Sequence, residues 1–335
     1  MKRIWKVLLS ILLVFALIIA SLGTLLFFMT RETKDPIVDY ETTNPYITER
    51  GKAFVSAHRS GGGQFPENTL MAFENCIKSK EFNTDIFEFD LHITKDGELI
   101  LLHDSTLDRT TDSVEALGVE KAKPSDYTYD EIRKLNFGES FIDESGNKPY
   151  KGLRGDNIPE NLKAVKLETV LDYLQANGDF SYIIEIKNSG ELGEKAADKL
   201  YKILSEREML PKAIIGTFHV NVSKYMDKAH PDMLRSCSLT EGIVFYMCAF
   251  FGIDKEVGSF NYKALQIPSS AFVINTGTTR VVNYAHKHNI AVQYWTVNDE
   301  KEMKYLNEIG ADAIITDYPE KAYAVINSLD SGELV

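Results

Sequence analysis

Cysteine, net positive charge and long apolar runs are all scarce in this chain. Its 335 residues hold three cysteines, Cys76, Cys237 and Cys248. An odd count at wide spacing fits no zinc pattern and no disulfide framework. One bridge between Cys237 and Cys248 stays open beside the expected reading, buried free thiols. Lys and Arg number 37 against 49 Asp and Glu, a formal net charge of -12. Long-range attraction then draws the chain neither to nucleic acid nor to an anionic surface, and no nucleic-acid partner is expected. An anionic substrate would need a local positive site. Apolar runs long enough to cross a bilayer are absent but for one, at the amino terminus. The hydrophobic share is 44%, which fills the core of one large domain or two small ones.

That one run is charge-free from Val7 to Met29, behind Lys2, Arg3 and Lys6. As a helix it would span about 35 Å, enough for the hydrocarbon core with some tilt. Trp5 stands at its start, where interfacial aromatics are favoured. A cleaved signal peptide is the competing reading, with small residues at Ala20, Ser21 and Gly23. Its apolar stretch usually lasts only about 7–15 residues. The basic cluster keeps the short end in the cytoplasm and exports everything after Met29. The expectation is a single-pass cell-membrane protein. Residues 1–29 form the stub and transmembrane helix, 30–50 a polar tether, 51–325 an extracellular body and 326–335 a tail.

In the body, β-rich runs alternate with helical patterns. Strands are predicted at 53–58, 86–93, 99–103, 182–187, 213–218, 234–239, 265–268, 291–297 and 313–317. Helices are predicted at 69–80, 167–176, 193–206, 278–288 and 300–309. Such alternation argues for a parallel α/β sheet or barrel. The link at 94–98 is far too short for a parallel crossover, which needs about a dozen residues. It suits a hairpin turning at Asp96-Gly97. The run at 99–103 therefore folds back beside the second strand, and the remaining parallel strands match a (β/α)8 TIM barrel. A doubly wound open sheet is the alternative, but no Gly-rich turn opens the first helix. Residues 105–165 form a long polar insertion, beyond ordinary loop lengths. The apolar stretch 243–251 is too short to span a bilayer. It reads as a buried helix or as an apolar wall at the mouth of a site.

Functional groups of such barrels sit at the carboxyl ends of the strands. His58 and Arg59 end the first strand. Glu88 and Asp90 lie two apart on the second and point to one face, leaving Phe87 and Phe89 on the other. Glu185 and Lys187 repeat the pattern on the next stave. Three inward carboxylates, Glu88, Asp90 and Glu185, need a counter-charge. A hard divalent cation is one solution, Ca²⁺ or Mg²⁺ by the oxygen donors. An ion-pair network with Arg59 and Lys187 is the other. His58 and His103, each beside a second polar group (Arg59, Asp104), have ordinary pKa values suited to a base and an acid near neutrality. Arg59 can hold phosphoryl oxygens bidentately. Glu67 and Asn68 either cap the helix starting near Thr69 or support the metal ligands from behind. Asp317, at the end of the eighth strand, is expected to be structural. Together these groups can hold a metal and cut a phosphodiester.

These residues resemble the glycerophosphodiester phosphodiesterase family. The resemblance runs from Ala53 to Pro319 through nine motifs in order. They are Ala57-His58-Arg59, Pro66-Glu67-Asn68-Thr69-Leu70, Glu88-Phe89-Asp90, Thr94-Lys95-Asp96-Gly97, His103-Asp104, Arg109-Thr110-Thr111, Ile184-Glu185-Ile186-Lys187, Trp295-Thr296-Val297-Asn298 and Ile314-Ile315-Thr316-Asp317-Tyr318-Pro319. The resemblance implies a (β/α)8 barrel that hydrolyses glycerophosphodiesters to an alcohol and glycerol 3-phosphate with one divalent cation. His58 and His103 would be the acid–base pair, and Arg59 and Lys187 would bind phosphate. Glu88, Asp90 and Glu185 would hold the metal, and Trp295 would line the glycerol site. The insertion after His103 also matches the family. One departure stands out: Ser60, followed by three glycines, occupies the place where the family usually has Gly. The competing readings are a lipid-directed relative acting on lysophospholipids or polyglycerophosphate polymers, and a non-catalytic surface protein.

Overall fold

The computed structural model describes residues 35–256, 258–271 and 274–330, together with 21, 23 and 24. Of the run expected to span the membrane, only Ser21, Gly23 and Thr24 fall among them. Among the described residues no helix is long and apolar enough to cross a membrane.

The strands are β1 (Phe54–Ala57), β2 (Ile86–Ile93), β3 (Leu99–Leu101), β4 (Ser181–Ile186), β5 (Ala213–Gly216), β6 (Ala264–Ile267), β7 (Ser270–Ala271), β8 (Ile274–Asn275), β9 (Ala291–Tyr294) and β10 (Ala313–Thr316). Side by side they run β5-β4-β2-β1-β10-β9-β6. Every pair in that order is parallel. The two outer strands, β5 and β6, are joined by a short segment, with Arg235 bridged to Ile215 and Ser236 to Ala264. The result is a nearly closed parallel barrel. Helices return the chain from the carboxyl end of one strand to the amino end of the next.

Two expectations about strands meet different outcomes. The hairpin is present: β3 lies antiparallel to β2, with Leu91 opposite Leu101. Gly97 turns it at φ 82°, a conformation that glycine adopts without steric cost. The strand expected at 234–239 shrinks to the two bridges just named. Ser238 leaves it to cap the helix Leu239–Phe251 in a capping box with Glu241. Arg235 is bound on one side to Asp227 and on the other to Glu241.

The alternation along β2 sorts its side chains as expected. Phe87 and Phe89 point out of the barrel and meet Phe73 at ring distances of 5.4 and 5.7 Å. Phe73 sits on the helix Leu70–Lys78, which Thr69 starts by accepting a hydrogen bond from the Ala72 amide. Burying each such aromatic stabilises the fold by about 1.5–3 kcal/mol. This layer fixes β2 rigidly, and β2 carries two of the site carboxylates. The insertion has its own small core. Leu107, Ala122, Ile132, Leu135 and Phe137 pack against Ile100 and Leu102.

The described part of the expected tether does not hang free of the barrel. Asn44 donates to the Lys263 and Asn289 carbonyls. The Tyr46 hydroxyl donates to the Pro211 carbonyl, and the ring packs on Ile214, Ala264 and Ala291 beneath the strands. The Thr48 amide donates to Asp312, and Arg50 donates to the Ile309 carbonyl. Polar side chains here satisfy backbone groups that burial would otherwise leave unpaired.

Candidate active site

His58, Arg59, Glu88, Asp90, His103, Glu185, Lys187 and Trp295 all line one cavity of ≈ 120 Å³ at the carboxyl ends of the strands. Phe218, Thr217 and Gln266 line it too, and sequence reasoning did not single them out. Phe218 meets Trp295 edge to face at 5.9 Å and gives the cavity an apolar side.

The carboxylates converge because of strand register. Asp90 on β2 lies directly beside Glu185 on β4, and Glu88 is two residues earlier on the same face. Carboxylate oxygens of the three lie within 4.8 Å of one another. Glu88 and Asp90 are buried. Glu88 accepts from the Arg59 amide at 2.7 Å. Burial, reinforced by the neighbouring Asp90 charge, pushes the Glu88 carboxyl up to about 8. Burial also raises Glu185, against the pull of Lys187. Burial alone would raise Asp90 as well, but Lys187, His103, Asn68 and Arg59 hold it below the usual carboxylate range. Lys187 sits 2.9 Å from Glu185 and 3.5 Å from Asp90. The cluster is thus short of positive charge.

Each histidine is paired to its own carboxylate. His58 Nδ1 lies 2.6 Å from Asp317 Oδ1. The expectation that Asp317 is merely structural is corrected here. β1 and β10 pair with Ala57 opposite Thr316, so the next residues, His58 and Asp317, emerge side by side. The other Asp317 oxygen accepts from neutral Asn298 at 2.7 Å. His103 Nδ1 lies 2.8 Å from Asp104 Oδ1. Asp104 is also gripped by Arg109 through two bonds of 2.7 and 2.9 Å. Arg109 reaches on to both Glu67 oxygens, and Glu67 accepts from Arg59 at 3.2 Å. Asn68 donates to Asp90 at 2.9 Å. Glu67 and Asn68 therefore support the site, while Thr69 does the capping.

The two imidazoles are tuned in opposite directions. Burial pulls His58 down, but the Asp317 bond and the Glu88 charge outweigh it, so its pKa is raised. Burial also pulls His103 down, and there Asp90 and Asp104 do not make up the difference, so its pKa is lowered.

A family model for the "Glycerophosphoryl diester phosphodiesterase family" matches residues 58–321. The chain belongs to that family. It is an enzyme of the glycerophosphodiester phosphodiesterase class, a phosphoric diester hydrolase. It is 30% identical over 278 residues to the "Uncharacterized protein YqiK" of Bacillus subtilis, covering 82% of this chain and 98% of that one. It is 28% identical over 275 residues to a glycerophosphodiester phosphodiesterase of Bacillus altitudinis, covering 81% and 97%. Among solved structures, it resembles an Oleispira antarctica phosphodiesterase in complex with the product sn-glycerol-3-phosphate. That match has a TM-score of 0.61 at 20% identity and covers 82% of this chain and 96% of that one.

In this glycerophosphodiester phosphodiesterase, Ser60 takes the left-handed backbone at φ 67°, between Arg59 at φ 47° and Gly61 at φ 85°. The family's usual glycine would enter that region without strain. Here the loop is pinned instead: the Gly61 and Gly62 amides donate to the His58 carbonyl, and the Gly63 amide donates to the Asp317 carbonyl. A Cβ at Gly63 would lie 2.7 Å from the Tyr318 ring. The loop that presents Arg59 is therefore clamped against the end of β10.

Proposed function

We propose that this enzyme hydrolyses glycerophosphodiesters to glycerol 3-phosphate and an alcohol, with one divalent cation, at the outer face of a membrane. The observation that carries this reading is the pair of carboxylate-bound histidines lining one cavity with a cluster of three acids, two of them buried and the third, Glu185, partly so. The product named for the Oleispira structure and the activity named for the Bacillus altitudinis relative support the substrate class.

Glu88, Asp90 and Glu185 fit a hard cation. They offer only oxygen donors, they converge, and Glu88 is pushed toward neutrality when no cation balances it. Ca²⁺ and Mg²⁺ are the ions such donors suit. The chemistry supplied is Lewis-acid polarisation of a phosphoryl oxygen. Arg59 and Lys187 hold the anionic phosphoryl group, and Trp295 with Phe218 packs the glycerol carbons.

The histidines divide the proton work. Each uses Nδ1 for its carboxylate, which leaves Nε2 as the free ring nitrogen. His103, with its lowered pKa, is neutral and takes a proton from the attacking oxygen, either water or the neighbouring glycerol hydroxyl. His58, whose pKa is raised, holds a proton more readily than His103 and gives it to the leaving alkoxide. Asp104 and Asp317 fix the two tautomers. General acid–base help of this kind is worth about 10²–10⁴-fold.

Lys2, Arg3 and Lys6 ahead of the 7–29 run support a single-pass anchor with the barrel outside the cytoplasm. A second reading, action on lysophospholipids or polyglycerophosphate polymers, is favoured by the apolar helix Leu239–Phe251. That helix begins two residues after Cys237, which lines the cavity. The deciding experiment is a substrate panel on the purified full chain. Glycerol 3-phosphate release from glycerophosphocholine supports the first reading. Turnover confined to lysolipids or polymers supports the second.

A further inference from the structure

The helix Leu239–Phe251 is apolar on nearly every side. Phe245, Tyr246, Cys248 and Ala249 are buried. Leu239, Ile243, Val244, Phe251 and the following Ile253 are exposed at 45–60%. Leu239, Ile243 and Phe251 stand at helical spacing on one ridge. A helix apolar all round is normally covered on all sides, and a contiguous exposed apolar surface marks an interaction site. The helix's acid near that ridge, Glu241, is turned inward to Arg235 and Ser238, so no charge on the ridge opposes an apolar partner.

The chain's own path says what covers it. The described chain begins its docked stretch at Asp35. Asp35 pairs bidentately with Arg280 at 2.6 and 3.1 Å, and its carbonyl accepts from Thr279 at 3.1 Å. Arg280 also donates to the Phe250 carbonyl at 3.4 Å, at the end of the apolar helix. Thr279 and Arg280 open the helix Thr279–Lys287, which follows the carboxyl end of β6. Asp35 is therefore tied at the same end of the barrel as the catalytic cavity. From there the strap descends along that helix. Asn283 is bound to Pro36 and Val38, Asn289 to Thr43 and Asn44, and Tyr46 lies beneath the strands. Only five residues, six chain steps, separate Asp35 from Met29, the end of the apolar run. That link reaches at most about 20 Å.

We propose that the ridge of Leu239, Ile243, Val244, Phe251 and Ile253 is a bilayer-contact surface, and that the docked strap 35–50 holds the barrel with its catalytic end toward the membrane that anchors it. This rests on the membrane-anchored reading above and deepens it: the substrate class it favours is diesters presented at the bilayer surface. The contact is apolar, in keeping with the acidic net charge, so it needs no anionic lipid.

The test uses the full chain reconstituted in phosphatidylcholine vesicles. An environment-sensitive fluorophore is attached at Val244→Cys, or at Glu206→Cys on the far end of the barrel. The unsubstituted chain, with its three native thiols, sets the labelling background. The vesicles carry spin-labelled phosphatidylcholine as the quencher. The proposal expects co-flotation with the vesicles, blue-shifted and strongly quenched emission at 244, and water-like, unquenched emission at 206. Co-flotation with unquenched emission at 244 overturns the surface and leaves the anchor standing. Unquenched emission at 244 with a 244–244 cross-link assigns the ridge to a second copy and likewise overturns it. Failure to co-float overturns the anchored reading, and the surface falls with it.

Discussion

Nδ1 of His58 lies 2.6 Å from Oδ1 of Asp317. The matching contact on the other side of the cavity, His103 to Asp104, is 2.8 Å. The two dyads differ in what else the carboxylate touches. Asp317 shares its charge with a neutral amide, Asn298, whereas Asp104 shares its charge with the Arg109 guanidinium. Asp317 is thus the stronger partner for an imidazolium, in line with the raised pKa of His58 and the lowered pKa of His103.

The pH profile follows from those directions. In the proposed division of roles His103 works unprotonated, so the acid limb of kcat/KM should lie below the ordinary histidine value of about 6.5. His58 works protonated in that division, so the alkaline limb should lie above it. Asp317→Asn removes the charge that holds the proton on His58. Its pKa then falls under the dominant pull of burial, the alkaline limb moves toward lower pH, and kcat near neutrality drops by up to about 10²–10⁴-fold. An unchanged alkaline limb in this variant would contradict the dyad.

Arg109→Met should act on the other limb. Without the guanidinium, Asp104 turns its full charge on His103 and stabilises the imidazolium. The acid limb then moves toward neutral pH while the alkaline limb stays in place. A pH–rate profile of kcat/KM reads both limbs.

Much of this site was legible in the sequence because its parts are local. Glu88 and Asp90 share a face by strand alternation, and the Asp96-Gly97 turn betrays the hairpin. The role of Asp317 was not legible from its own strand. It needs the closure of the barrel, which brings the last strand beside the first. The strand expected at 234–239 is cut short because Ser238 and Glu241 start a helix there, and the run, Leu234-Arg235-Ser236-Cys237-Ser238-Leu239, holds no β-branched or aromatic residue to oppose it. The strap looked like a tether because its polarity is spent on backbone groups far away in sequence, such as the Lys263 and Asn289 carbonyls. No periodicity records such bonds.

The strap should carry stability. Tyr46 is almost fully buried beneath the strands and its hydroxyl donates to Pro211. Tyr46→Ala should cost about 3–5 kcal/mol, read from denaturant midpoints. Kinetic constants measured well below the transition should stay near those of the unsubstituted enzyme. A loss under about 1 kcal/mol would mean the strap is not part of the folded unit.

Cation dependence is testable without turnover. Ca²⁺ or Mg²⁺ at a hundredfold excess over its Kd should stabilise the chelator-treated protein by about 2.7 kcal/mol. The thermal shift should vanish in Glu88→Gln, Asp90→Asn and Glu185→Gln. Activity should disappear in excess chelator and return with the ion. Full activity in chelator would exclude the cation.

The division of labour between the histidines is the centre of the account. Its most direct test compares a glycerophosphodiester with an alkyl leaving group against one with a nitrophenolate leaving group, which needs no proton. Both His58→Ala and His103→Ala should lose about 10²-fold or more in kcat on the alkyl substrate. On the nitrophenyl substrate, His58→Ala should recover most of its rate and His103→Ala should not. Rescue of His103→Ala in place of His58→Ala, or equal rescue of both, would contradict the assignment.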